Sequence, residues 1–204
     1  MQKQVGAKST TVNRLGSGYT FTGLFQLFLV CAFPIHAWAI LMAFRDFSWV
    51  SERTRIWDGI GLLAYALTYS LMETIGIFLL LLLLSLFMPK RWDANRRVAF
   101  LGCLFLVAAV WGILGQLYSY FGEPVPQPVV DFLVRSGHPI RIIWGVLLPL
   151  IALSAGLPAI AIAGRDKAMD GVMGFFERIS LLSLFYIILD VAGIIIILIR
   201  SVTV

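Results

Sequence analysis

Five long apolar runs, residues 21–44, 59–88, 98–121, 139–163 and 176–199, dominate the sequence and are separated by short polar connections. A helix crosses a bilayer's hydrocarbon layer with about 20 mainly apolar residues, so each run is long enough to span. Within lipid every backbone N–H and C=O must be satisfied by the protein, which restricts a spanning chain to helices or a closed barrel. A barrel reads as alternating stretches of about ten residues punctuated by turns. Continuous runs such as "IFLLLLLLSLF" at 77–87 do not alternate. The expected fold is all-α: a polytopic transmembrane bundle of about five helices, with a cytoplasmic tail over residues 1–20 and one membrane domain over 21–204.

Composition agrees. With 60% hydrophobic and 13% charged residues, the chain lies outside the range of soluble globular domains. The formal charge of +5 could suggest nucleic acid, but the basic residues sit in the connections, where they set membrane orientation. No nucleic-acid partner is expected. Ten Lys and Arg residues fall in the tail and the second and fourth connections, against six on the opposite side. Positively charged short loops stay in the cytoplasm. The N-terminus is therefore expected in the cytoplasm and the C-terminus outside, in a cell inner or plasma membrane. The first run has features of a secretory signal, since Pro34 interrupts it and "AWA" at 37–39 has a small-x-small form. It continues apolar to Phe44, and is read as a retained span.

The connections carry membrane-surface chemistry. "RDFSWVSERTRIWD" at 45–58 interleaves both charge signs with Phe47, Trp49 and Trp57, the mixture a headgroup layer favours. An interfacial ribbon is expected there. "EPVPQP" at 123–128 is expected as a stiff, extended spacer, because each proline fixes its own φ and biases the preceding residue away from helix.

Two acids interrupt the apolar runs. Glu73 lies in "YSLMETIGI" and Asp190 in "YIILDVAGI". Intramembrane carboxylates are costly, and they face a bundle interior or a wet cavity and find a partner. No Lys or Arg occupies the middle of any run. Burial without a cation disfavours the charged form, so one or both acids are expected to be uncharged, with Tyr69, Ser70, Thr74, Tyr186 and Gln116 as the available hydrogen-bond partners. The two neighbourhoods match in spacing: Tyr69, Glu73, Gly76 and Ile77 against Tyr186, Asp190, Gly193 and Ile194. On a helix each Tyr, acid and Gly share a face. Glycine lets membrane helices approach closely, so the second and fifth spans are expected to pack through Gly76 and Gly193. Because those spans run in opposite directions, the match also has the form of an inverted repeat with a midplane site, in which the acids would be stepped along a proton path. The plainer alternative is a pair of structural, hydrogen-bonded acids.

Pro34, Pro149 and Pro158 lie inside runs and are expected to kink their helices, each freeing the carbonyl four residues back. "SAGLP" at 154–158 could also be an unwound break of the kind found in transporters. His36 is the one deep histidine. His138 lies at the membrane boundary, too far away in depth to share a haem with it. His36 remains a candidate single axial ligand, to a chlorin for instance, or a hydrogen-bonded interface residue. Cys31 and Cys103 are isolated within apolar runs and read as small core residues, with no metal site expected.

No His-Glu-x-x-His, phosphate-binding glycine loop or Gly-x-Ser-x-Gly turn is present, and the sequence specifies no cofactor and no catalytic residue. Three function classes follow, in descending order. The first is a non-enzymatic subunit or scaffold of a larger membrane assembly, whose partners are the lipid bilayer and other membrane subunits. The second is a proton- or cation-coupled carrier using Glu73 and Asp190. The third is a membrane enzyme or pigment-binding protein.

Overall fold

The computed structural model describes residues 14–15, 19–122 and 125–203. Five helices are long and apolar enough to cross a membrane, as expected. They are α1 (Phe21–Arg53), α2 (Ile56–Ser85), α3 (Ala94–Phe121), α5 (Pro139–Ala163) and α6 (Asp166–Thr203), with the shorter α4 (Gln127–Arg135) between α3 and α5. Ahead of α1, β1 (Arg14–Leu15) pairs antiparallel with β2 (Tyr19–Thr20). Most of the expected N-terminal tail, residues 1–13 and 16–18, lies outside the described residues.

The helices start and stop where local chemistry dictates. The Thr20 hydroxyl accepts from the Gly23 N–H at 3.1 Å, and the Asp93 carboxylate accepts from the Arg96 N–H at 3.0 Å. Both satisfy donors that a helix N-terminus leaves open. Gly122 ends α3 in the left-handed region, at φ 62°, a conformation that favours glycine. Pro139 opens α5, where a missing N–H costs nothing.

Three expected boundaries are corrected. The interfacial ribbon is absent, because α1 continues to Arg53 and only Thr54 and Arg55 separate it from α2. Nothing in residues 45–53 breaks a helix: no Pro or Gly occurs, and Arg53 folds back over the Trp49 ring one turn earlier, at 4.3 Å. The extended spacer is also shorter than expected. Glu123 and Pro124 lie outside the described residues, while Gln127 and Pro128 already belong to α4, since a proline is tolerated in a first helical turn. Finally, α6 begins ten residues earlier than the apolar run, at Asp166, because its polar first turns still have helical partners.

The bundle is asymmetric along its length. The end carrying the α2–α3 and α5–α6 connections is here called proximal, and the opposite end distal. α1 is central and packs on α2, α3 and α6; α2 also packs on α6, and α5 packs mainly on α3. The buried cluster of Leu27, Val30, Leu81, Leu101, Phe105 and Phe176 lies in the proximal half of these helices. Cys31 belongs to the same cluster, as expected for a small core residue. A Cβ on Gly102 would overlap the Phe176 ring, so this glycine is what admits the largest fully buried side chain. Arg97 donates to the carbonyls of Trp92, Pro89 and Lys90 and holds the α2–α3 connection closed.

Each end also has an ion pair between helices. Arg96 meets Asp166 at 2.7 Å proximally, and Arg200 meets Asp58 at 2.9 Å distally. Arg200 also donates to the Trp57 carbonyl.

The prolines are accommodated without unwinding. Pro34, Pro149 and Pro158 all sit inside continuous helices. The transporter-like break at "SAGLP" is absent. In its place Ala155, Ala159 and Ala163 form a buried stripe one turn apart, as small residues do at close membrane-helix contacts. The indole N–H of Trp111 on α3 donates to the Ser154 hydroxyl of α5 at 2.8 Å.

Candidate functional site

His36 and Asp190 meet in the middle of the bundle, and both are 0% exposed. The imidazole Nε2 lies 3.1 and 3.0 Å from the two Asp190 carboxyl oxygens, and Nδ1 lies 2.9 Å from the Ala32 carbonyl. A carbonyl oxygen only accepts, so Nδ1 carries a hydrogen. The contact between Nε2 and the carboxyl then needs one further proton between them. Whichever atom holds that proton, the pair is neutral as a whole, which is the state that burial in lipid favours. The Tyr186 ring stacks on the imidazole at a centroid distance of 5.7 Å and an interplanar angle of 6°.

This arrangement answers the partner question differently from the sequence reading. Asp190 is satisfied by His36, and Tyr186 contributes a ring face. Ser70 and Thr74 donate instead to carbonyls one turn back in their own helix, Ala66 at 2.8 Å and Ser70 at 2.7 Å. Both ring nitrogens of His36 are engaged, so in this arrangement neither offers a free lone pair to a haem or chlorin. Among the described residues no group of three or more His, Cys, Asp or Glu could hold a metal.

Glu73 has a different environment. It is exposed and borders an open groove of about 400 Å³ whose floor is α1 and whose walls are α2 and α3. Pro34, Ile35 and Trp38 form part of the floor; Gly76 stands on the α2 wall, and Phe105 and Gly112 on the α3 wall. Gln116 and the indole of Trp38 also line it. Neither Glu73 nor Gln116 has a hydrogen-bond or ion-pair partner among the described residues. Tyr69 is 69% exposed and points away from the bundle.

The expected meeting of Gly76 and Gly193 does not occur. α2 and α6 do pack together, but Gly193 approaches Ala64, where an added Cβ would lie 3.1 Å from the Ala64 carbonyl oxygen. A Cβ on Gly76 would meet nothing within 4 Å. The physical reason is that α2 turns its stripe of Gly61, Ala64, Leu67, Ser70 and Thr74 inward, and Gly76 is off that stripe. By helical geometry His36 and the groove-floor residues Pro34, Ile35 and Trp38 occupy different faces of α1. The two acids therefore lie on different sides of the central helix.

The fold defines a multi-pass integral membrane protein with a buried His36–Asp190 pair at its centre and an open groove that Glu73 borders. No protein-family model, curated protein or solved structure matches the chain.

Proposed function

We propose that this chain is a non-enzymatic subunit of a larger membrane assembly, with its N-terminus in the cytoplasm. The observation that carries the reading is the contrast between the two midmembrane acids. Asp190 is consumed by His36, with both side chains fully buried, as expected of a structural lock. Glu73 is left facing an open, mainly apolar groove without a partner among the described residues, and an intramembrane carboxyl is costly until something satisfies it.

A carrier would need a polar cavity that reaches both acids, whereas the Glu73 groove is lined mainly by apolar side chains and does not include His36 or Asp190. The subunit reading therefore has the stronger support. Purification from the native membrane in mild detergent, followed by native mass spectrometry, tests it. A stoichiometric complex with another membrane protein is expected. A lone, monodisperse chain of 22.7 kDa would overturn the reading.

A further inference from the structure

We infer that the groove between α2 and α3 is the seat of one transmembrane helix of a partner protein, and that this helix carries a lysine or arginine opposite Glu73. The inference rests on the subunit reading and names the partner's chemistry. Its first support is geometric. α2 and α3 each pack on α1 and touch each other little, so the space between them, above α1, is the vacant fourth position of a four-helix arrangement. Along α3 the lining runs from Phe105 to Gln116, about 16 Å at the helical rise, or three turns. The groove's volume of about 400 Å³ is that of a few side chains, which is what one face of a helix presents over three turns.

The walls suit a helix backbone. Gly76 on α2 and Gly112 on α3 both line the groove, and a Cβ at either would meet nothing within 4 Å. Glycine at such positions permits the close approach by which membrane helices associate.

Charge selects among occupants. Glu73 is unpartnered among the described residues, so an occupant that brings a donor to its depth satisfies it. A second copy of this chain has no Lys or Arg in the middle of any apolar run, and its His36 is already committed to Asp190. A lipid amine sits in the headgroup layer, about 15 Å from the bilayer centre, and acyl chains carry no donor. A partner helix with a basic residue near its middle satisfies both the shape and the charge. Such residues are rare in spans and occur where they pair.

The test is site-directed photo-crosslinking in the native membrane, using the full chain with Tyr69→p-benzoylphenylalanine. Tyr69 is exposed, lies one turn from Glu73 on the same face of α2 and is not part of the groove lining, so the probe replaces one aromatic ring with another and reaches an occupant without filling its seat. After irradiation the adduct is mapped by peptide mass spectrometry. The expected product joins position 69 to a transmembrane segment with Lys or Arg within about two turns of the crosslink. Adding Glu73→Gln should lower the yield about tenfold, and Glu73→Lys should abolish it until the partner's basic residue is changed to Glu. Glu73 makes no contact whose loss could unfold the chain, and a circular dichroism melt of Glu73→Gln checks this. Adducts on lipid alone, on a second copy, or on a helix without a basic residue overturn the inference, as does an unchanged yield in Glu73→Gln. If a stoichiometric partner still co-purifies in that case, the subunit reading survives. If the chain is also alone in detergent, both fall.

Discussion

At the scale of single residues, the His36–Asp190 pair is the most consequential contact in the molecule. Removing one member leaves the other buried without its partner, and losses of this kind cost about 3–5 kcal/mol. Asp190→Ala and His36→Ala should each lower the thermal midpoint in detergent sharply. The double variant His36→Leu/Asp190→Leu should recover much of the loss, because it leaves no polar group behind. If each single change were silent, the pair would not be holding α1 to α6.

The glycines make a second residue-scale contrast. Gly193→Ala forces a Cβ to 3.1 Å from the Ala64 carbonyl oxygen and should destabilise by about 1–3 kcal/mol. Gly76→Ala meets open space and should stay within about 1 kcal/mol of the parent. Chemical unfolding of both variants in mixed micelles gives the comparison. The sequence made both glycines look equivalent, since each follows an acid by three residues. Only the packing of α2 distinguishes them. The His36–Asp190 pair, by contrast, was within reach of sequence reasoning. Counted back from the distal ends of their runs, residues 44 and 199, His36 and Asp190 both lie about 12–14 Å deep on helices that run the same way. What hides the pair in the sequence is that its basic partner is a histidine on the first span rather than a Lys or Arg.

Elements show the same division between what periodicity encodes and what packing decides. Five apolar runs suffice to place five spans, because length and hydropathy are local properties. Where a helix continues past the lipid is not encoded that way: residues 45–53 of α1 and 166–175 of α6 are polar enough to read as connections, yet neither contains a proline, and α6 runs on through Gly171 and Gly174. In α5, prolines suggested a break, and the alanines beside them turned out to matter more. Ala159 is fully buried, while Pro158 faces outward. Ala159→Leu should therefore push α5 from its neighbours at a cost of about 1–3 kcal/mol, whereas Pro158→Ala should not lower the midpoint. The amphipathic α4 places Gln127, Asp131 and Arg135 in one stripe, with Gln127 donating to Asp131 at 2.9 Å. Val129, Phe132 and Val134 remain exposed, which fits a helix lying in the interface.

For the whole molecule, the two ends differ in chemistry as well as in packing. The proximal end carries Arg96, Arg97, Lys90 and Arg165 near its connections, and in the proposed orientation this end faces the cytoplasm. Single cysteines test this orientation. Ser51→Cys, at the distal end of α1, should react with a membrane-impermeant maleimide on intact cells. Lys167→Cys, at the proximal start of α6, should react only after permeabilisation. The reverse pattern would invert the assignment. Cys31 is buried and Cys103 partly so, both within spans, so they should contribute little background.

His36 belongs to the first helix and Asp190 to the last, 154 residues further along the chain. At about 5–20 residues per second, a ribosome needs roughly 8–30 s to cover that distance. Throughout that interval the newly inserted first helix holds an imidazole whose Nε2 has no carboxyl to meet. The bundle's centre can close only when the final span arrives, so a chain cut short before α6 would display that unmet imidazole to whatever membrane machinery inspects unfinished proteins.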